Sequence, residues 1–181
     1  MNNYIHINKI KFHLKNFVDL SYDESIYALK IRNHPDVRSQ MYNSNVIDTN
    51  AHLEFIQSLL RKEDAKYFLV LDNEVAIGVI NFKSIDSNLQ KCEFGIYANL
   101  ESDYLKKGYL LISVAKKYAL NALELKEMYL EVFAENIKAL NLYKKNGFIG
   151  YKSVLKKKNE IITMKCCLEN ERIIRNKRCL K

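Results

Sequence analysis

The sequence predicts an α/β (α+β) domain built on a mixed, mostly antiparallel sheet with helices on both faces. Three observations predict it. Short apolar runs of strand length, rich in β-branched and aromatic residues, recur along the chain at 67–71, 75–82, 92–97 and 128–133. Stretches with helical spacing precede, separate and follow them, three of them headed by a capping residue: Ser21, Asp48 or Thr49, and Asn136. The resulting order, β-α-α-β-β-β-α-β-α-β-β, contains two hairpins, at 67–82 and at 148–168.

Residues 5–20 hold one or two short strands, with 15–20 the preferred first strand. Ser21-Tyr22-Asp23-Glu24 is a capping box: the Ser21 hydroxyl faces the Glu24 N–H and the Glu24 carboxylate faces back. Tyr22, Ile26 and Leu29 then make one helical face. Pro35 ends this helix, because the residue before proline disfavours the α region. Arg32-Asn33-His34-Pro35 is thus a helix-to-loop exit whose polar groups serve either capping or a site. The loop 36–47 carries Met41-Tyr42 among polar neighbours. The second helix has Leu53, Ile56 and Leu60 on its face, with Phe55 to the side, and ends near Arg61-Lys62.

Asp72-Asn73-Glu74 turns the first hairpin, and a polar loop at 84–90 leads to Cys92-Glu93-Phe94-Gly95-Ile96-Tyr97. Gly95 inside this strand marks a bulge or a close backbone approach by a ligand. After a loop at 99–107 comes a helix with Leu105, Tyr109, Ile112, Ala115, Ala119 and Ala122 on one face. In the strand 128–133, Met128, Leu130 and Val132 face one way and Tyr129, Glu131 and Phe133 the other. Asn136 caps a short helix with Ile137, Leu140 and Tyr143 at three-residue spacing, and Gly147 stops it. The last hairpin turns at 156–159.

At 181 residues the chain fits one domain, taken as 1–168, followed by a basic tail at 169–181. The tail has five basic and two acidic residues, so it carries +3 of the net +8 and the rest +5. Such a surface attracts phosphate-bearing partners without separating a nucleotide-linked small molecule from nucleic acid. No apolar run approaches the ~20 residues of a membrane helix, and the start, MNNYIHINKIK, lacks a secretory signal. Cys92, Cys166, Cys167 and Cys179 form no C-x-x-C pair and, with His6, His13, His34 and His52, no zinc-ligand spacing. The expectation is a cytoplasmic protein with ordinary thiols and no metal.

The stretch 128–148, MYLEVFAENIKALNLYKKNGF, resembles the late half of the GCN5-related N-acetyltransferases, whose pattern is E-N-x-x-A-x-x-x-Y-x-x-x-G-F. The resemblance implies the acetyltransferase fold over about residues 15 to 168, with a central splay between the strands 93–97 and 128–133. It implies acetyl-CoA as acetyl donor. Its pantetheine arm would bond the backbone of Phe94, Gly95, Ile96 and Tyr97, and a bulge at Gly95 would aim an N–H at the thioester oxygen. Its pyrophosphate would meet the helix start at Lys106, Lys107, Gly108 and Tyr109. The family pattern there is Q/R-x-x-G-x-G/A; this chain has Leu105, Gly108 and Leu110, so only the middle glycine matches. Asn136 and Tyr143 complete the implied cofactor contacts. Tyr143 is the implied acid for the leaving thiolate, and Glu93 and Glu131 are the candidate bases beside the splay. Glu131 reads equally as a backbone or acceptor contact.

R-N-H-P, M-Y, H-L-x-F-I, Y-F-L-V, G-V-I-x-F and C-E-F-G-I-Y in the first half resemble one subgroup, the nucleotide-amino-sugar N-acetyltransferases of the pseudaminic acid pathway. That resemblance implies a UDP-linked 4-amino-4,6-dideoxy sugar as acceptor, on the way to flagellin glycosylation. Nucleotide contacts would fall on Met41, Tyr42, Phe55 and Glu131, and sugar contacts on Asn81, Lys83 and Tyr97. The other reading of Phe55 is core, and of Tyr42 a loop anchor. An acetyltransferase of the same fold acting on protein N-termini or an aminoglycoside is the alternative. A nucleic-acid-binding module is the weaker one, since recognition motifs are lacking; neither nucleic acid nor membrane is expected as partner. Monomer and homodimer both stay open.

Overall fold

The computed structural model describes residues 4–7, 9–156 and 159–168; the expected basic tail and the two middle residues of the last turn lie outside them. In chain order the elements are β1 (Tyr4–Ile7), β2 (Ile10–Asn16), α1 (Tyr22–Asn33), α2 (Pro35–Arg38), α3 (Thr49–Leu59), β3 (Lys66–Asp72), β4 (Val75–Asp86) and β5 (Lys91–Ala98). They continue as α4 (Lys107–Asn121), β6 (Glu127–Phe133), α5 (Ile137–Lys145), β7 (Ile149–Lys156) and β8 (Asn159–Cys167). The eight strands form one sheet in the order β1-β2-β3-β4-β5-β6-β8-β7. Neighbours run antiparallel except β5 and β6, which are parallel.

Strand alternation sends side chains to both faces, and each face carries its own core. On one face Phe68, Phe82, Phe94, Met128 and Leu130 pack against Leu111, Ala115 and Tyr118 of α4 and Leu140 of α5. On the other, Leu69 and Val79 pack with Phe17, Ala28 and Ile31 beside α1 and Ile56 and Leu59 of α3. No helix among the described residues is long and apolar enough to cross a membrane.

Several local expectations are corrected by the packing. Of the stretch 15–20 only Lys15 and Asn16 are strand. β2 starts earlier and buries Phe12 and Leu14 against β3. Asn16 then accepts a hydrogen bond from the Val18 N–H and winds Phe17–Asp19 into a 3-10 turn. The Ser21–Glu24 capping box is present in both directions. However, α1 buries Ser25, Ala28, Leu29 and Ile31, leaving Tyr22 63% exposed. Small residues let the helix lie close to the sheet, and a count of large apolar side chains misses them.

Pro35 ends α1 as expected, and it also opens α2, where its fixed φ suits the first helical position. Asp48 caps α3 by accepting from the Ala51 N–H. The buried stripe of α3 is His52, Ile56 and Leu59, with Leu60 71% exposed. His52 acts as a core residue: its Nε2 lies 3.0 Å from the Ser25 carbonyl, and burial lowers its pKa. Of the face expected for α4, Leu105 and Tyr109 are exposed, as is Ile137 on α5. β4 runs on to Asp86, three residues into the expected polar loop.

Candidate active site

The two central strands part midway. β5 and β6 pair only at Lys91↔Glu127, Cys92↔Met128 and Glu93↔Tyr129. Beyond these, β5 stays paired to β4 as far as Ala98, and β6 to β8 as far as Phe133. The result is the expected central splay: a wedge whose walls are the free backbone edges from Phe94 and from Leu130 onward. Unpaired strand edges offer N–H and C=O groups to an extended ligand. The backbone of Phe94, Gly95, Ile96 and Tyr97 forms the β5 side of this wedge, and the Phe94 side chain is buried in the core.

The role expected of Gly95 is corrected. The β4–β5 register runs unbroken through Asn81↔Gly95, and its irregularity falls further on, between Lys83 and Asp86. There is no bulge at Gly95. A Cβ there would stand 2.8 Å from Asn81 Nδ2 and 2.9 Å from Asn81 Oδ1, so the missing side chain makes room for the Asn81 carboxamide. Lys83, two pairs along on the same face, binds Glu93 at 2.5 Å, so these two expected site residues meet as an ion pair. Tyr97 is partly buried against the second core; desolvation raises its hydroxyl pKa above the usual range, while Arg32 nearby acts in the opposite sense.

Lys106, with φ 55°, begins α4 without a side-chain cap. The Leu110 N–H is the first to bond back, to the Lys106 carbonyl at 3.1 Å. The N–H groups of Lys107, Gly108 and Tyr109 thus occupy the orphan positions of the first turn, where an anion is favoured. The Lys107 ammonium is turned away onto the Ser102 carbonyl. Gly108, expected to allow the close approach of a phosphate, also meets a neighbour inside the protein. A Cβ there would come within 2.6 Å of Leu142 Cδ2 on α5, so Gly108 lets the two helices touch. Gly108→Val is expected to push α5 off α4 and weaken acetyl-CoA about tenfold, the effect of ~1.4 kcal/mol of overpacking. Adding Leu142→Ala should restore affinity in calorimetry; an unchanged affinity in the single variant would take this segment out of the site.

Asn136 caps α5 by accepting from the Ala139 N–H at 3.0 Å, and Gly147 ends it at φ +79°. Between them Tyr143 packs against the core, its ring 5.7 Å from that of Phe148. Burial pushes the Tyr143 hydroxyl up to about 12, so it holds its proton at any working pH. A neutral phenol can donate to a thiolate.

Past the open end of the wedge lies a cleft of about 560 Å³, lined among others by Met41, Tyr42, Phe133, Glu135, Lys156 and Glu160. Tyr42 donates to Glu131, and the Lys156 ammonium sits 2.9 Å from both Glu131 oxygens. Burial raises the Glu131 carboxyl, but these two donors together hold it below its ordinary value. Tyr42 meets the Phe133 ring edge-on at 5.7 Å and lies under Lys156. Phe55 does not line this cleft. It packs edge-on against Tyr67 at 5.0 Å, beside the second core. The core reading of Phe55 is the one the structure supports.

Three further groups of residues shape the cleft and its loop. Lys156 and Phe133 join the cleft through strand pairings that no local pattern announces. Asn33 and Arg38 hold the loop that carries Tyr42: the Asn33 amide bonds both Ile47 backbone groups, and Arg38 reaches the Ser44 carbonyl at 2.6 Å. Arg32 donates to the Asn43 carbonyl at 3.0 Å. The R-N-H-P stretch was the available signal for the last group. Among the described residues no group of three His, Cys, Asp or Glu could hold a metal ion.

The sequence model described as Acetyltransferase (GNAT) domain matches residues 14–149. Acetyltransferase PseH from Campylobacter jejuni subsp. jejuni is 42% identical over 138 residues, covering 76% of this chain and 85% of the relative. The crystal structure of Campylobacter jejuni N-acetyltransferase PseH in complex with acetyl coenzyme A matches with a TM-score of 0.70 at 32% identity, over 86% of this chain and 98% of that one. Spermidine N-acetyltransferase from Vibrio cholerae, solved with CoA and spermine, shares the fold with a TM-score of 0.78 at 20% identity. With the parted central strands and the Asn136–Phe148 stretch in place, these likenesses show that the chain belongs to the GNAT acetyltransferase family.

Proposed function

We propose that this N-acetyltransferase moves the acetyl group of acetyl-CoA to the 4-amino group of UDP-4-amino-4,6-dideoxy-N-acetyl-β-L-altrosamine, in the pseudaminic acid pathway that leads to flagellin glycosylation. The observation that carries the reading is the wedge between β5 and β6, which opens toward a cleft lined by Tyr42 and Phe133. The wedge suits the extended pantetheine arm, and the cleft supplies aromatic faces for a base and polar groups for the rest of a nucleotide sugar. The likeness to PseH over most of both chains supports the same acceptor. A cytoplasmic location goes with this reading.

The step is a direct attack. The free amine adds to the thioester carbon, and backbone N–H groups at the edge of β5 stabilise the oxyanion. The intermediate then collapses, the C–S bond breaks, and Tyr143 gives its proton to the leaving thiolate. The amine proton goes to Glu93, directly or through a water. Both carboxylates carry a lysine, Lys83 on Glu93 and Lys156 on Glu131; Glu131 also accepts from Tyr42, which leaves it the less free of the two to take a proton, and its part is to fix Tyr42 over the cleft.

An acetyl-CoA assay against UDP-4-amino sugars, peptides and aminoglycosides tests the reading. Turnover of the UDP-amino sugar and not of the others is expected; turnover of a peptide alone would end it. Tyr42→Ala is expected to raise the KM for the nucleotide sugar about tenfold, since base–aromatic stacking is worth ~1–3 kcal/mol, and to leave acetyl-CoA affinity alone. Equal weakening of both ligands would make Tyr42 a loop anchor only.

A further inference from the structure

We infer that the side-chain carbonyl of Asn81 orients the attacking amine by accepting one of its N–H groups, which makes Asn81 a catalytic residue rather than a contact to the sugar ring alone. The inference rests on the acyltransferase reading of the site, and not on the identity of the sugar.

Asn81 lies in mid-strand on β4, is only 8% exposed, and its Oδ1 has no hydrogen-bond partner among the described residues. Buried polar atoms are almost always partnered, so an orphan beside a ligand site points to a group the ligand brings. Its neighbours on the strand do not share this state. Ile80 and Phe82 turn into the core, and Lys83 on the same face is paired with Glu93.

The placement of the orphan is held open by a second residue. Gly95 stands directly across on β5, and a Cβ there would fall 2.8, 2.9 and 3.2 Å from the three atoms of the Asn81 amide group. The carboxamide therefore lies against bare backbone. That backbone is two residues past Glu93, the last position of β5 paired with β6, so it borders the wedge where the thioester is placed. Core packing does not require this pair; a leucine against an alanine would fill the space without an orphan.

The chemistry needs such a group. Once the ammonium has given up one proton, the amine has two N–H groups and one lone pair. An N–H held by Oδ1 leaves the lone pair free to point at the thioester carbon. As the C–N bond forms, the nitrogen becomes positive and its N–H a stronger donor, so this hydrogen bond tightens toward the transition state. The amide carbonyl takes no proton. The excess proton of the nitrogen passes to Glu93, the C–S electron pair leaves with sulfur, and Tyr143 protonates it.

The test is a double-mutant cycle on the whole protein with the amine that the wild type acetylates fastest. Asn81→Ala and Asn81→Leu are expected to lower kcat about 10- to 100-fold, with acceptor KM changed less than about threefold and acetyl-CoA affinity within about twofold. Gly95→Ala should lower kcat comparably, by displacing the carboxamide. In the Asn81→Ala background the same change should cost less than about threefold, because the clash has gone. A raised KM with kcat intact would reduce Asn81 to a sugar contact, and additive losses would remove the Asn81–Gly95 coupling. If the wild type acetylates no amine in the panel, the functional reading falls. Melting temperatures still decide the geometry in that case: Gly95→Ala should lower Tm in the wild type and clearly less in Asn81→Ala, and equal falls would overturn the inference.

Discussion

Tyr143→Phe is expected to fold normally, bind acetyl-CoA with wild-type affinity, and lose turnover by about 10²–10⁴-fold, the range of a positioned general acid. Tyr143 is fixed from both ends of α5: Asn136 caps the start, and the left-handed Gly147 lets the chain turn back so that the Phe148 N–H reaches the Tyr143 carbonyl at 3.0 Å. Phenylalanine keeps the ring contact with Phe148 and removes only the donor. The burial that raises the hydroxyl to about 12 keeps it protonated through the neutral range. Coenzyme A leaves as a thiolate only after the tetrahedral intermediate has formed. The loss should therefore fall on kcat and kcat/KM together and leave substrate affinity alone. Steady-state kinetics beside an acetyl-CoA titration and a thermal melt separate the cases. Near-wild-type kcat in a well-folded variant would make Tyr143 a packing residue, and the thiolate would then leave without a protein acid.

Phe148→Ala is expected to destabilise the fold by about 3–5 kcal/mol, the cost of emptying a buried aromatic site. For a domain of this size that lowers Tm by roughly 6–20 °C. Phe148 is 2% exposed. Its ring stacks on Phe94 of β5 at 6.1 Å and lies tilted against Tyr143 of α5 at 5.7 Å. It also lies 5.7 Å below the ammonium of Lys116 on α4. One ring thus joins β5, α5 and α4, the three elements on which the proposed donor site draws. Phe148→Leu, which refills most of the volume, should cost much less. A loss below about 1 kcal/mol in Phe148→Ala would mean that the three elements are held together elsewhere.

What was legible in the sequence was local. The Ser21–Glu24 box, the Asp48 and Asn136 caps, the Gly147 stop and the alternation of 128–133 are each decided within a few residues, and each stands as expected. The helix faces were less legible, because α1 and α3 pack through Ser25, Ala28 and His52, which a tally of large apolar residues does not count. The site divides in the same way. Tyr143, Tyr42 and Glu131 came from a stretch with its own pattern or from the family resemblance. The opposition of Asn81 to Gly95 is set by strand register, and the clasp of Lys156 on Glu131 joins residues 25 apart in sequence; no short window contains either. Gly95 was noticed for the right reason, close approach to its backbone, but what approaches is a side chain of the protein itself.

The parted strands also divide labour between the two sides of one sheet. Tyr143, α4 and α5 belong to one side, while Tyr42, Glu93, Glu131 and the loop held by Asn33 and Arg38 gather on the other. The slot between β5 and β6 is where the two meet. A change of acceptor can then be written into residues 39–47 and the β7–β8 hairpin while donor and acid stay untouched, since well-separated sites contribute nearly independently. On the proposed reading the acceptor side can be refitted to another amine while the donor side is kept.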